Sequence, residues 1–68
     1  MYVGQVVHYV GDEAKSNGET LAPAIVTRVW SPDVVNLTVF PDCGNPVCVT
    51  SVQREFEGSN RFFREVTS

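Results

Sequence analysis

A chain of 68 residues, 43% of them hydrophobic, has material for one small domain, 1–68, around a single and only marginally stabilising core. Eight acidic residues against five basic ones leave a net charge of −3, the wrong sign for a protein whose affinity comes from neutralising phosphates. No apolar run approaches a membrane-spanning helix, the longest being interrupted by Gln5, His8, Thr27, Arg28 and Asn36, and the reading is of a soluble domain.

Five short β-type runs follow one another, separated by Gly, Pro, Asn and Asp clusters. The first, residues 2–10, has apolar residues on both faces in its second half and predicts a long, bent strand. Gly4 marks either the bend where a barrel strand turns a corner or a point of close packing. His8, the one histidine, reads as an ordinary strand-face residue.

Residues 11–23 form the longest polar stretch and predict a long surface loop, out of proportion to the usual connection in so small a domain. Loops of that kind are either functional or simply solvated. On the first reading Asp12, Glu13, Lys15, Asn17 and Glu19 are candidates for contact with a partner.

Residues 24–30 and 34–40 form the clearest hairpin, joined by the turn tripeptide Ser31-Pro32-Asp33. Alternation points Val35, Leu37 and Val39 one way, and Asn36 and Thr38 the other way together with Val34 and Phe40. Trp30 and Phe40 are either core, the default in a domain of this size, or an exposed aromatic patch suited to a protein partner. Asn36-Leu37-Thr38 has the letters of a glycosylation acceptor but lies mid-strand, and the match is set aside as accidental.

A second turn at 41–46 leads into a fourth strand at 46–52. Cys43 reads as a turn residue and Cys48 as a small buried one. A hairpin could bring the two together. The start of the chain shows no signal-peptide pattern, however, so the expectation is a reducing compartment and free thiols. With His8 they are the only good metal ligands, and they lack the paired spacings of structural zinc; no cofactor is expected.

The irregular segment 53–60 precedes a last strand at 61–66. Here Arg54, Arg61 and Arg64 mix with Phe56, Phe62 and Phe63, a combination that can stack on single-stranded nucleic acid. Glu55, Glu57 and Glu65 interleave with them and cancel any positive field. The phenylalanines therefore read chiefly as core, with Arg54 and Phe56 kept as candidates for a protein contact. The whole order predicts an all-β fold, a small five- or six-stranded SH3-like barrel of antiparallel hairpins. No nucleophile, base or acid falls into a catalytic spacing, so the reading is non-enzymatic.

The combination Gly4-Gln5-Val6-Val7-His8-Tyr9, the stretch from Pro23 through Ala24-Ile25-Val26-Thr27-Arg28 to Val29, and Val35-Asn36-Leu37-Thr38-Val39-Phe40 with a short aromatic C-terminal strand resembles small β-barrel proteins encoded by tailed bacteriophages. Those proteins often end in a Gly, Thr, Trp, His order, where this chain has Asn60-Arg61-Phe62-Phe63-Arg64. The resemblance implies a virion protein that assembles in the host cytoplasm and binds the major capsid protein or another virion protein in many copies, as a capsid decoration or cement protein does. It carries over no catalytic residues. A minor neck or tail component, or a small regulatory or host-interaction protein acting as inhibitor or adaptor, is the alternative.

Overall fold

The computed structural model describes residues 1–14, 20–59 and 61–66. They form one five-stranded antiparallel sheet: β1 (Val6–Val10), β2 (Leu21–Ser31), β3 (Val34–Val39), β4 (Val47–Gln53) and β5 (Phe62–Glu65). The spatial order is β4-β3-β2-β1-β5, so consecutive strands are neighbours except that β5 returns to lie beside β1. The sheet curls until the chain just after β4 meets β5, where Arg54 and Phe63 form a parallel bridge and the Glu55 amide donates to the Phe63 carbonyl at 2.9 Å. This is the curled five-stranded sheet of a small all-β barrel.

Period-two alternation places the core. Ala22, Ala24 and Val26 of β2 and Val35, Leu37 and Val39 of β3 all point inward and are fully buried, joined by Val7, Tyr9 and Phe63. The inner face of the barrel is thus almost wholly aliphatic, with no buried polar or charged side chain among the described residues.

Three irregularities curl the sheet. On β2 the register with β3 shifts between Val26 and Arg28 and again between Val29 and Ser31, leaving Thr27 and Trp30 as the extra residues. On β4 the shift sets Thr50 and Ser51 against Asn36 alone, and Ser51 takes φ +55 there. Bulges of this kind bend a strand and raise its twist, which a short sheet needs in order to close. The bulge at Thr27 also resets the alternation, so that Val29 rather than Arg28 turns toward the core.

The first strand is shorter than its sequence suggests. Residues 2–5 form a tight turn instead, with the Gln5 amide donating to the Tyr2 carbonyl at 3.1 Å and Gly4 at φ +93 in the third position. A side chain at that φ is strained, whereas nothing lies within 4 Å of where a Cβ would stand. Gly4 is therefore there for the bend and not for close packing. The Gly4 amide donates to the Val26 carbonyl and the Gln5 carbonyl accepts from the Val26 amide, which carries β2 past the end of β1.

The polar stretch 11–23 is likewise not one loop. It begins with a 3₁₀ turn over Asp12–Ala14, whose Ala14 side chain is buried in the core, and β2 already starts at Leu21. Pro23 is accommodated inside β2 because its backbone polar edge faces β3: its carbonyl accepts from the Phe40 amide at 2.9 Å, just beyond the last paired residue Val39. The pairing with His8 on β1 loses no bond from the missing N–H.

Candidate interaction surface

Where a strand has one buried face, everything it spends on function must sit on the other face or at its ends. The outward rows of this sheet follow from the register. Val10 and Leu21 make one row, beside Phe62, which shares their phase but is buried; Arg64, His8 and Pro23 make a second, extended by Phe40; Val6, Ile25, Thr38 and Cys48 make a third. Val6 (52%), Leu21 (40%), Ile25 (37%) and Phe40 (38%) are exposed there, and Val66 continues past the end of β5. These rows carry no carboxylate, in a chain with eight of them. Arg64 is their one permanent charge, and it reaches sideways to Glu55 at 2.8 Å.

Trp30 and Phe40 are both exposed, against the core default for a domain of this size. The inner face is already filled by aliphatic side chains, and Trp30 lies on a bulge while Phe40 lies beyond the last pair of β3. They do not form one patch. Phe40 stands opposite Pro23, and Trp30 is seven residues further along β2, ~23 Å away at the rise of an extended strand. Cys48 is exposed in the outer row rather than buried, because it pairs with outward-facing Thr38. Cys43 lies in the exposed turn before β4, and no disulfide joins the two.

At the Trp30 end the side chains are held in place. The indole Nε1–H donates to Asn36 Oδ1 at 2.8 Å, and the same oxygen accepts from the Ser51 amide at 2.9 Å in the β4 bulge. One carboxamide thus joins three strands and fixes the aromatic ring. The Arg28 guanidinium stacks 3.9 Å from the ring centroid. Asn36→Ala is expected to lower stability by about 1–2 kcal/mol through the two lost bonds, and to free the indole. Trp30 is the only tryptophan, so its fluorescence anisotropy in the folded mutant reads the second effect directly. Unchanged anisotropy would show that Asn36 does not hold the ring.

The other candidates divide. Arg54 is committed inside the protein: its Nε donates to Asp33 Oδ1 at 2.9 Å, its Nη2 to the Pro32 carbonyl at 3.0 Å, and Glu65 lies 3.6 Å away. It clamps the β2–β3 turn to the closure of the barrel. The bond to Asp33 raises its pKa from the ordinary guanidinium value, desolvation opposes this, and the nearby Glu65 adds to the rise. A raised cationic pKa keeps its stabilising charge at every pH below the ordinary value, so the guanidinium does not release the clamp at neutral or mildly basic pH. Phe56 is exposed between two shallow grooves, one of ≈ 320 Å³ beside Asp33, Val34 and Arg54, the other of ≈ 220 Å³ beside Ser51, Ser59 and Arg61. Neither groove holds a histidine or a cysteine.

Asp12 is exposed at the start of the 3₁₀ turn. The side chain of Glu13, and Lys15, Asn17 and Glu19 entirely, lie outside the described residues. Sequence reasoning missed the apolar outer face itself. Leu21, Pro23 and Ile25 alternate with Ala22, Ala24 and Val26, and with both sets apolar the pattern does not say which is inside. The small size of Ala22 and Ala24, set against bulky Tyr9 and Phe63, was the available signal.

Fold and surface together define a small antiparallel β-barrel whose outer sheet face is largely apolar and, among the described residues, carries no carboxylate in its paired rows. Comparison of the chain with known protein families, with curated proteins and with solved structures found no match.

Proposed function

We propose that this barrel is a non-enzymatic docking module that attaches in many copies to a larger protein assembly through the outer face of β1, β2 and β3. In the form the sequence resemblance implies, it is a phage capsid decoration or cement protein on the major capsid protein. The observation that carries the docking reading is the exposed apolar set Val6, Leu21, Ile25 and Phe40 on one face of a chain whose charges lie mostly elsewhere. Contiguous exposed apolar surface of this kind marks an interaction site.

Size bears on the manner of attachment. Three strands spaced about 4.8 Å apart and five residues deep give a flat footprint of roughly 240 Å². A standard stable interface takes about 800 Å² from each partner. One such face makes a weak contact, and repetition on a lattice of identical partners converts weak contacts into firm attachment.

The test is the copy number of the chain in purified virus particles, by quantitative mass spectrometry against the major capsid protein. Hundreds of copies support decoration; a dozen or fewer indicate a neck or tail component; none removes the virion reading in favour of a regulatory one. Within the decoration reading, Ile25→Asp is expected to leave a folded barrel, since the residue is on the outer face, and to cut occupancy on the particle at least about tenfold. A folded variant with normal occupancy would take the outer face out of the contact.

A further inference from the structure

Arg28 differs from the other described arginines. Arg54 is bonded to Asp33, Arg64 to Glu55, and Arg61 to the Tyr9 hydroxyl and the Thr50 carbonyl. Arg28 makes no side-chain hydrogen bond or ion pair among the described residues, and its guanidinium lies 3.9 Å from the centroid of Trp30, which is itself 53% exposed. An arginine normally keeps its rotamer freedom in water. Here the stacking partner is immobilised in turn: Trp30 by Asn36, and Asn36 by the amide of Ser51, a serine in the left-handed region at φ +55. Left-handed backbone is strained for a residue with a Cβ. Two bulges, at Thr27 and Trp30, aim the pair outward at the end of the strand that also carries Leu21, Pro23 and Ile25. Strain and bulges collected around an exposed aromatic–arginine pair are what a prepared contact looks like, because the ordering cost is met before the partner arrives.

Resting on the docking reading above, we propose that Arg28 and Trp30 form a second contact at the far end of β2 from Phe40, and that they take an aspartate or glutamate side chain presented beside an apolar residue on the partner protein. The guanidinium, 3.9 Å from the centroid of the indole, offers a planar set of donors bonded to no carboxylate among the described residues. Arginine and tryptophan are the residue types that dominate binding energy at the centres of interfaces. A protein is favoured over nucleic acid because the chain carries net charge −3 and the neighbouring outward rows are apolar.

The test uses the full chain with Arg28→Lys and a water-soluble carbodiimide. Carbodiimide converts a nearby carboxylate to an O-acylisourea, and the introduced amine displaces the urea to form an amide, so a carboxylate within reach is trapped and located by mass spectrometry of the linked peptides. The protein so identified is then purified, and its affinity is measured for the wild-type chain, Arg28→Ala and Trp30→Phe, each checked for folding by circular dichroism. Expected is a link from position 28 to an Asp or Glu of another protein and a loss of about tenfold or more with Arg28→Ala. If that protein is no virion component, the second contact stands and the virion reading falls. If the partner is a virion protein and both variants bind it like wild type, the virion reading stands and the second contact falls. A link to a second copy of this chain, or binding abolished by nuclease, would also overturn the proposal.

Discussion

Phe63→Ala is expected to remove the cooperative unfolding transition altogether. Phe63 is fully buried at the seam of the barrel, where it pairs with Tyr9 of β1, accepts the Glu55 amide at its carbonyl, and lies under the Arg54 guanidinium at 5.3 Å. Truncating a buried phenylalanine costs about 3–5 kcal/mol, because the cavity adds to the lost transfer energy. A single core in a chain below about 70–80 residues rarely supplies more than about 3–5 kcal/mol in total. The mutant therefore falls at or below the threshold of folding, and its urea titration should show no sigmoidal transition. Phe56→Ala is the matched control: Phe56 is exposed, and its loss should move the midpoint little. A Phe63→Ala variant that melts like wild type would show that the barrel is not closed through this residue.

Gly11→Val carries the second large effect, and its cause is steric. The backbone at Gly11 passes over the edge of the buried Tyr9 ring, and a Cβ there would stand 2.6 Å from the Tyr9 hydroxyl oxygen and 2.9 Å from Cζ. The ring cannot swing aside, since its hydroxyl accepts a bond from Arg61 Nε at 3.0 Å and the residue has no exposed surface. Overpacking of this kind costs about 1–3 kcal/mol, and valine should reach the upper end, a fall in melting temperature of roughly 10 °C or more. Gly11→Ala combined with Tyr9→Phe supplies a further check. Removing the hydroxyl relieves the closest contact, so the double mutant should lose less than the sum of the single changes. Strict additivity would mean that the two residues do not meet.

How far the sequence foretold this structure depended on whether one face of each strand was polar. The strand read at 34–40 was found at 34–39 with the expected residues inward, because Asn36 and Thr38 interrupt Val35, Leu37 and Val39 at period two. The hairpin turn at Pro32-Asp33 was equally legible from turn chemistry. The start of β2 was not: Leu21 to Pro23 were assigned to the loop as the end of a long polar stretch, and only the direction of the polar edge of Pro23, a tertiary fact, permits a strand there. The first strand was placed four residues early, since Tyr2 and Val3 are strand formers and a glycine in a turn looks, in sequence, like a glycine in a bent strand.

The contact surface was legible only in part. Phe40 was read on the polar phase of its strand, but both aromatics were taken as core by default, and nothing short of the bulges and the register could expose Trp30 and separate the two to opposite ends of β2. Arg54 and Arg28 look alike in sequence. One is tied to Asp33 and Glu65, the other has no carboxylate among the described residues, and that difference depends on which loops the fold brings alongside.

The return of β5 to β1 has a consequence for the order of folding. Pairings within β1 to β4 join strands that follow one another, whereas β5 pairs Glu65 with Val7 across almost the whole chain. The first four strands can form as a meander of local hairpins, but the free edge of β1 and the inner faces of Val7 and Tyr9 stay uncovered until β5 brings Phe63 back to them. The chain is thus most open to wrong pairing in the interval before that long-range contact forms, and closure of the barrel through β5 is the step that sets the pace of folding.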